Sequence, residues 1–172
     1  MASTLLPIGV PAPVFDIPMP DGTTWPTSYF QGKKRLVLVF YPGDFTPVCT
    51  AQLCLLRDHW NQLLEHDALV VGINPAKPSK HRLFAEKFAF PFPLISDQGH
   101  KIAKAYGCCS WFGINRRTVY IVDKKGLIAY ACRGNPNIAE LLQVLRSLHD
   151  EPPYASAHNG MVSTHTAQIP DP

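Results

Sequence analysis

The chain has 172 residues, 46% of them hydrophobic and 17% charged, with a formal net charge of +3. That is enough for one domain with a sizeable core, while the basic groups Lys33-Lys34-Arg35, Arg116-Arg117 and Lys124-Lys125 are too short for a nucleic-acid footprint. No run of about 18 apolar residues exists to span a membrane, and the opening MASTLLPIGVPAP lacks a basic region and is broken by Pro7 and Pro11, a poor secretory leader.

Taken in chain order, residues 1–34 are rich in Pro and Gly, and APVFDI and TTWPTSYF around PDG predict a β-hairpin ahead of the first main strand. RLVLVFY, Arg35 to Tyr41, is a nearly continuous apolar run that suits a central strand covered on both faces. A helix follows from Pro47 to about Glu65, then ALVVGIN (Ala68 to Asn74) as a second buried strand and SKHRLFAEKFAF as a helix. PLIS (Pro93 to Ser96) is a short strand, and GHKIAKAYG a helix that Gly107 can stop. TVYIVD and GLIAYAC flank DKKG as an antiparallel hairpin. PNIAELLQVLRSLHD closes the domain as a helix with apolar residues at helical spacing. The order β-α-β-α-β-α-β-β-α predicts an α/β fold with a mixed central sheet flanked by helices. Residues 1–150 read as one domain, and 151–172, dominated by Pro, Ser, Thr, His and Asn, as a C-terminal extension.

Five cysteines (Cys49, Cys54, Cys108, Cys109 and Cys132) are an odd number in a chain that reads as cytoplasmic, where lasting disulfides are rare. The spacings of Cys49/Cys54 and the vicinal Cys108/Cys109 are a poor set for zinc, so no metal is expected. The stretch YPGDFTPVCTAQLC, Tyr41 to Cys54, carries the chemistry. Thr46 followed by Pro47 is a strong helix start, which makes Cys49 the third helical residue. Its sulfur then lies near backbone N–H groups with no intrahelical partner, at the positive end of the macrodipole, and both favour the reactive thiolate. The competing reading is a cysteine that merely fills the core. Cys54 falls on another face of the helix with Thr50, Arg57, Asp58 and Asn61, pointing toward solvent. Intact helix would hold the two Cα atoms roughly 8 to 9 Å apart, beyond the reach of a disulfide. A bond between them requires the first turns to unwind. Pro42, Gly43 and Asp44 form a turn at the strand's carboxyl end, with Tyr41 and Phe45 as walls of a shallow pocket around Cys49. Arg116 and Arg117 are the candidate cations for the thiolate.

These residues resemble the peroxiredoxins. Pro42, Thr46 and Cys49 match the family pattern P-x-x-x-T-x-x-C, and RTVYIVDKKGLI is similar to the hairpin carrying the family's arginine, which aligns with Arg117. Cys54 and the following LLRD resemble the bacterioferritin comigratory protein, or Q-type, subgroup, and the resemblance extends from about Pro13 to Leu148. It implies a thioredoxin-like fold and a thiol peroxidase acting on hydrogen peroxide and organic hydroperoxides. By the resemblance, Cys49 is the peroxidatic cysteine, Thr46 positions the peroxide, Arg117 stabilises thiolate and transition state, and Pro42 shields the sulfur. Cys54 is then the resolving cysteine, forming an intramolecular disulfide that thioredoxin or a similar dithiol reduces. No metal, flavin or haem is implied, and Q-type proteins are often monomers. Gln52 stands where many subgroup members carry an acid, and the 151–172 segment falls outside the resemblance.

Two other readings compete. A thioredoxin-like disulfide oxidoreductase would carry C-x-x-C, which this chain lacks. A redox sensor would use the same oxidation to expose Leu53, Leu55 and Leu56 to a partner, and it would stop after about one equivalent of peroxide. Cys132, alternating with Ile128 and Tyr130, reads as core, and the seven histidines as solvated or packing residues.

Overall fold

The computed structural model describes residues 4–149. A short antiparallel hairpin, β1 (Asp16–Pro18) and β2 (Thr24–Pro26), is followed by a 3-10 turn at Thr27–Phe30. Then come β3 (Arg35–Phe40), α1 (Pro47–Asp58), α2 (Trp60–Glu65), β4 (Ala68–Asn74) and α3 (Pro78–Phe88). The chain continues through β5 (Leu94–Ser96), α4 (Lys101–Ala105), β6 (Thr118–Val122), β7 (Ile128–Arg133) and α5 (Ile138–His149). The main sheet runs β5-β4-β3-β6-β7, with β4 parallel to β3 and β5 while β6 is antiparallel to β3 and β7. The mixed sheet, its helices and the N-terminal hairpin are therefore as the sequence implies.

All six residues of β3 are buried, which explains its unbroken apolar run. Side chains alternate across the sheet. Val37, Val39 and Tyr41 enter one core cluster with Leu53 and Leu56 of α1, Phe84 of α3 and Leu141, Leu142 and Leu145 of α5. Leu36, Leu38 and Phe40 enter the opposite cluster with Ile17, Phe30, Ala103 and Tyr106. At about 1.5–3 kcal/mol per fully buried large side chain, these two layers fix where β3 ends, and that end is where the site begins.

Three elements differ from expectation. The helix expected over 47–65 is interrupted at His59, which leaves helical geometry at φ −106° and ψ 17°, with its Nδ1 2.9 Å from the Leu55 carbonyl oxygen that its own N–H also engages. α4 is shorter than expected because it starts after His100, held in left-handed conformation, with the Asp97 carboxylate accepting from the N–H groups of Ile102 and Ala103. Gly107, at φ +64°, ends that turn as anticipated. Cys132 is half-buried, not core, since β7 is the sheet edge and only its first residue is fully covered. The expected boundary at 150 and the 151–172 extension lie outside the described residues.

Candidate active site

The chain leaves β3 at Tyr41 and enters α1 at Pro47, so five residues turn it from the sheet to the helix. Thr46 is the cap residue, with extended φ −77° and ψ 144°, and Pro47 is the first helical residue. The hydroxyl, however, makes no bond to a helix N–H; it donates backward to the Gly43 carbonyl at 3.2 Å. The helix is opened by its backbone instead, Thr50 N–H donating to the Thr46 carbonyl at 2.9 Å. The N–H groups of Val48 and Cys49 precede that first bond and have no intrahelical acceptor. Cys49 sits among them, 1% exposed and part of the same core cluster as Tyr41 and Leu53.

Of the two candidate arginines, the structure brings Arg117 to the sulfur and leaves Arg116 exposed. Arg117 lies just before β6, which pairs with β3 so that Thr118 is opposite Phe40, one residue before Tyr41. Sixty-eight positions of sequence separation collapse to a contact: Arg117 Nη2 donates to Cys49 Sγ at 3.1 Å. Its Nη1 donates to Gln52 Oε1 at 2.6 Å, and Gln52 is itself buried, one turn beyond Cys49 on α1. Gln52 thus orients the guanidinium, a role its place at three residues past Cys49 signals only once Arg117 is known to arrive there. A neutral amide accepts this bond without adding a negative charge beside the sulfur.

The turn beneath is fastened by a buried polar group. Asp44, 3% exposed, accepts at Oδ1 from the Tyr41 hydroxyl at 2.8 Å and from Asn74 Nδ2 at 2.7 Å. Its Oδ2 lies 2.7 Å from His81 Nδ1, and His81 Nε2 is 3.1 Å from the Ile95 carbonyl oxygen. Burial pushes the Asp44 carboxyl up, but the bonds from His81, Tyr41 and Asn74 outweigh it and hold the group below the ordinary carboxylate range. Tyr41 is driven well above the usual phenol range, by burial first and then by the charges of Asp44 and Cys49. Tyr41 therefore does not wall a pocket. Its ring is fully buried because position 41 continues the inward face of β3, and Gly72 on β4 makes room: a Cβ there would lie 3.2 Å from Tyr41 Cε1 and 2.6 Å from Leu94 Cδ2.

Phe45 is 40% exposed, and it holds φ +63°, a costly value for a residue with a bulky side chain. Its ring packs on Phe84 at 4.8 Å between centroids. Pro42 is exposed at the start of the turn. Cys54 lies within the same unbroken helix as Cys49 and is half-buried against the core cluster rather than turned fully to solvent. Cys108 and Cys109 are buried, and burial pushes the Cys108 thiol up to about 11. A groove of about 650 Å³ between the N-terminal hairpin and α4 contains none of these residues. Among the described residues no cluster of three or more His, Cys, Asp or Glu is placed to hold a metal ion, and no helix is long and apolar enough to cross a membrane. The sequence reading gave Asp44 as a turn residue and His81 as solvated or packing, and their bonding with Asn74 escaped it because 30 and 37 positions separate Asn74 and His81 from Asp44.

Residues 8–131 match the model of the AhpC/TSA family. The chain is 41% identical over 146 residues to the chloroplastic peroxiredoxin Q of Populus jackii, covering 81% of this chain and 68% of that protein. Against peroxiredoxin Bcp of Bacillus subtilis it is 34% identical over 155 residues, covering 84% of this chain and 98% of the relative. The chain spans about two-thirds of the length of the chloroplastic relatives, 68% for poplar and 65% for the wheat protein. In structure it is similar to the peroxidoxin BcpB of Mycobacterium tuberculosis, with a TM-score of 0.74 at 28% identity over 81% of this chain and 96% of that one. PrxQ of Xylella fastidiosa, at 24% identity and a TM-score of 0.75 over 86% of this chain and 99% of that one, shares the fold. The fold is the thioredoxin-like one that the resemblance implied. The chain belongs to the AhpC/TSA family, and within it to the thiol peroxidases of the peroxiredoxin Q and Bcp kind.

Proposed function

We propose that the protein reduces hydrogen peroxide and organic hydroperoxides through a cycle carried by Cys49 and Cys54. The observation that carries the reading is the guanidinium of Arg117 donating to Cys49 Sγ at 3.1 Å, at the start of α1. The Cys49 thiolate attacks one peroxide oxygen, the O–O bond breaks, and the leaving alkoxide or hydroxide takes a proton to depart as alcohol or water. Cys49 is left as a sulfenic acid. Arg117 is placed to hold the thiolate and then the charge that passes to the leaving oxygen. Thr46 supports the approach: its hydroxyl proton is committed to Gly43, so its lone pairs are available to accept from the peroxide. Pro42 and Phe45 are the exposed residues of the turn against which the organic part of a hydroperoxide would rest.

Cys54 then condenses with the sulfenic acid, forming the disulfide and releasing water. Both cysteines sit on one intact helix, so the first turns of α1 must unwind for the sulfurs to meet. A dithiol protein such as thioredoxin returns the disulfide to two thiols. One helix supplies both sulfurs, so the acting unit is a monomer, and neither nucleic acid nor membrane enters the cycle. The odd cysteine count suits a reducing compartment, and the reading places the protein in the cytoplasm.

The test is turnover. With thioredoxin, its reductase and a nicotinamide reductant, the protein should consume many equivalents of peroxide per chain, and Cys49→Ser should consume none above background. Consumption that stops near one equivalent would make it a sensor, with oxidation exposing Leu53 and Leu56, now buried.

A further inference from the structure

Asp44 raises a problem for the site above it. A carboxylate in the turn that leads into the helix of the reacting sulfur opposes a second negative charge there. Tyr41 links the two, bonding to Asp44 while packing in the core cluster of Cys49 and responding to the charge of both. Arg117 is already committed to Cys49 and Gln52. The compensating charge has to come from elsewhere.

His81 supplies it, and the hydrogen bonds show how. The Ile95 carbonyl can only accept, so Nε2, 3.1 Å away, carries a hydrogen. Oδ1 of Asp44 is engaged by two donors, Tyr41 and Asn74, which leaves Oδ2 to face His81 Nδ1 at 2.7 Å. A bare nitrogen opposite a bare carboxylate oxygen at that distance would be repulsive, so one proton lies between them. Two donors already stabilise the charge of the carboxylate at Oδ1, which favours the arrangement with that proton on His81 as an imidazolium. The pair is 3% exposed at both residues and sums to zero charge.

We propose that Asp44 and His81 form a charge-neutral positioning pair for Cys49: they tie the Pro42–Thr46 turn to α3 and β5, and the imidazolium cancels a carboxylate that would otherwise oppose the thiolate. This rests on the reading of Cys49 as the peroxide-reactive group. The groups facing the pair are Tyr41 from the end of β3, Asn74 from β4, the Ile95 carbonyl from β5 and, beyond Tyr41, Cys49 with Arg117. Asp97, after β5, is engaged with the N–H groups at the start of α4. Lys80 and Arg82, beside His81 on α3, are exposed, and Lys87 lies 5.9 Å from the Phe45 ring. Fastening α3 and β5 to the turn also explains how Phe45 is held at its unfavourable φ.

The pair can be tested because charge and hydrogen bonding separate. His81→Asn puts an amide N–H near the place of Nδ1 but removes the cation, leaving Asp44 ionised and uncompensated. Asp44→Asn keeps an acceptor for Tyr41 and offers an N–H to a neutral imidazole, so the pair stays at zero. The readout is the pH dependence of Cys49 alkylation by iodoacetamide, followed by fragmentation of the tryptic peptide Leu36–Arg57 in the mass spectrometer to tell Cys49 from Cys54, with the fold checked by circular dichroism. His81→Asn should move the midpoint up by about one pH unit, Asp44→Asn should not raise it, and the double variant should return it to that of the unaltered protein. Equal midpoints in all four proteins would overturn the proposal and leave the pair a structural fastening only. Should His81→Asn fail to fold, nitrogen NMR of the unaltered protein decides: both His81 ring nitrogens should be protonated at neutral pH, and a bare Nδ1 would overturn the assignment. Alkylation needs no peroxide, so failure of the pair is distinct from failure of the peroxidase reading, which shows as a Cys49 that alkylates but does not react with hydrogen peroxide.

Discussion

Two cysteines in this molecule have an arginine beside them, and the structure gives them different surroundings. Cys49 stands in the first turn of a twelve-residue helix, and Arg117 donates to its sulfur at 3.1 Å. Cys108 follows α4 with no helix start to face, and its thiol donates to the Tyr106 carbonyl at 3.4 Å. Burial pushes that thiol up to about 11 although Thr118 and Arg133 both pull it down. Arg133 directs Nη1 to Thr118 Oγ1 at 2.6 Å and Nη2 to the Gly107 carbonyl at 3.0 Å, and its pull on the sulfur does not outweigh burial. An arginine in the vicinity is therefore insufficient. Unpaired backbone N–H groups at a helix start stand beside Cys49 and not beside Cys108, and the proposed reactivity of Cys49 rests on them together with the Arg117 guanidinium.

The comparison breaks hardest at the cysteines themselves. Cys49→Ser should reduce peroxide turnover to background, while Cys108→Ser should leave it within about twofold and cost stability instead, on the order of 1 kcal/mol for a perturbed buried site; steady-state assays and urea unfolding separate the two. Next in size is Arg117→Met, which removes the donor from the sulfur and should lower kcat/KM by about 10²–10³-fold. The matching change at Arg133 should act on stability alone. Cys54→Ser should leave the first oxidation of Cys49 intact in single-turnover stopped flow yet block recycling by dithiol, with the sulfenic acid trapped by dimedone.

Smaller effects sharpen the picture. Gln52→Ala frees Nη1 of Arg117, and an orienting bond of that kind is worth on the order of tenfold in kcat/KM. Smallest is an acid effect at Asp44. Its folded-state carboxyl is held below its unfolded value, so the stability it lends is present above the unfolded value, near pH 4, and is lost as pH falls through the folded one. Asp44→Asn should flatten that part of the stability curve in urea titrations run between neutral pH and acid.

How much of this the sequence disclosed follows from where each signal is stored. β3 and β4 were legible because burial on both faces writes an unbroken apolar run, and the start of α1 because Thr46-Pro47 is a local pattern. Cys49 follows from that start by counting. Arg117 was one of two candidates until the antiparallel register of β6 on β3 brought it to the sulfur. His81 read as a solvated or packing residue, since its acid partner is 37 positions away and only the crossover through α1 and β4 brings them together. Tyr41 read as a pocket wall because an aromatic at a strand end carries no sign of which face it takes; alternation along β3 sends it inward. The interruption at His59 coincides with a side chain meeting its own turn's carbonyl, which helix propensity does not record.

The central claim, that Cys49 reacts and Cys54 resolves, is tested most directly by treating the reduced protein with one equivalent of hydrogen peroxide and weighing the tryptic peptide Leu36–Arg57, which holds both cysteines. The account predicts a peptide lighter by two hydrogens, and no such loss in Cys54→Ser. A peptide that gains oxygen at Cys49 in both proteins would contradict the role of Cys54, and a peptide left unmodified would contradict the role of Cys49.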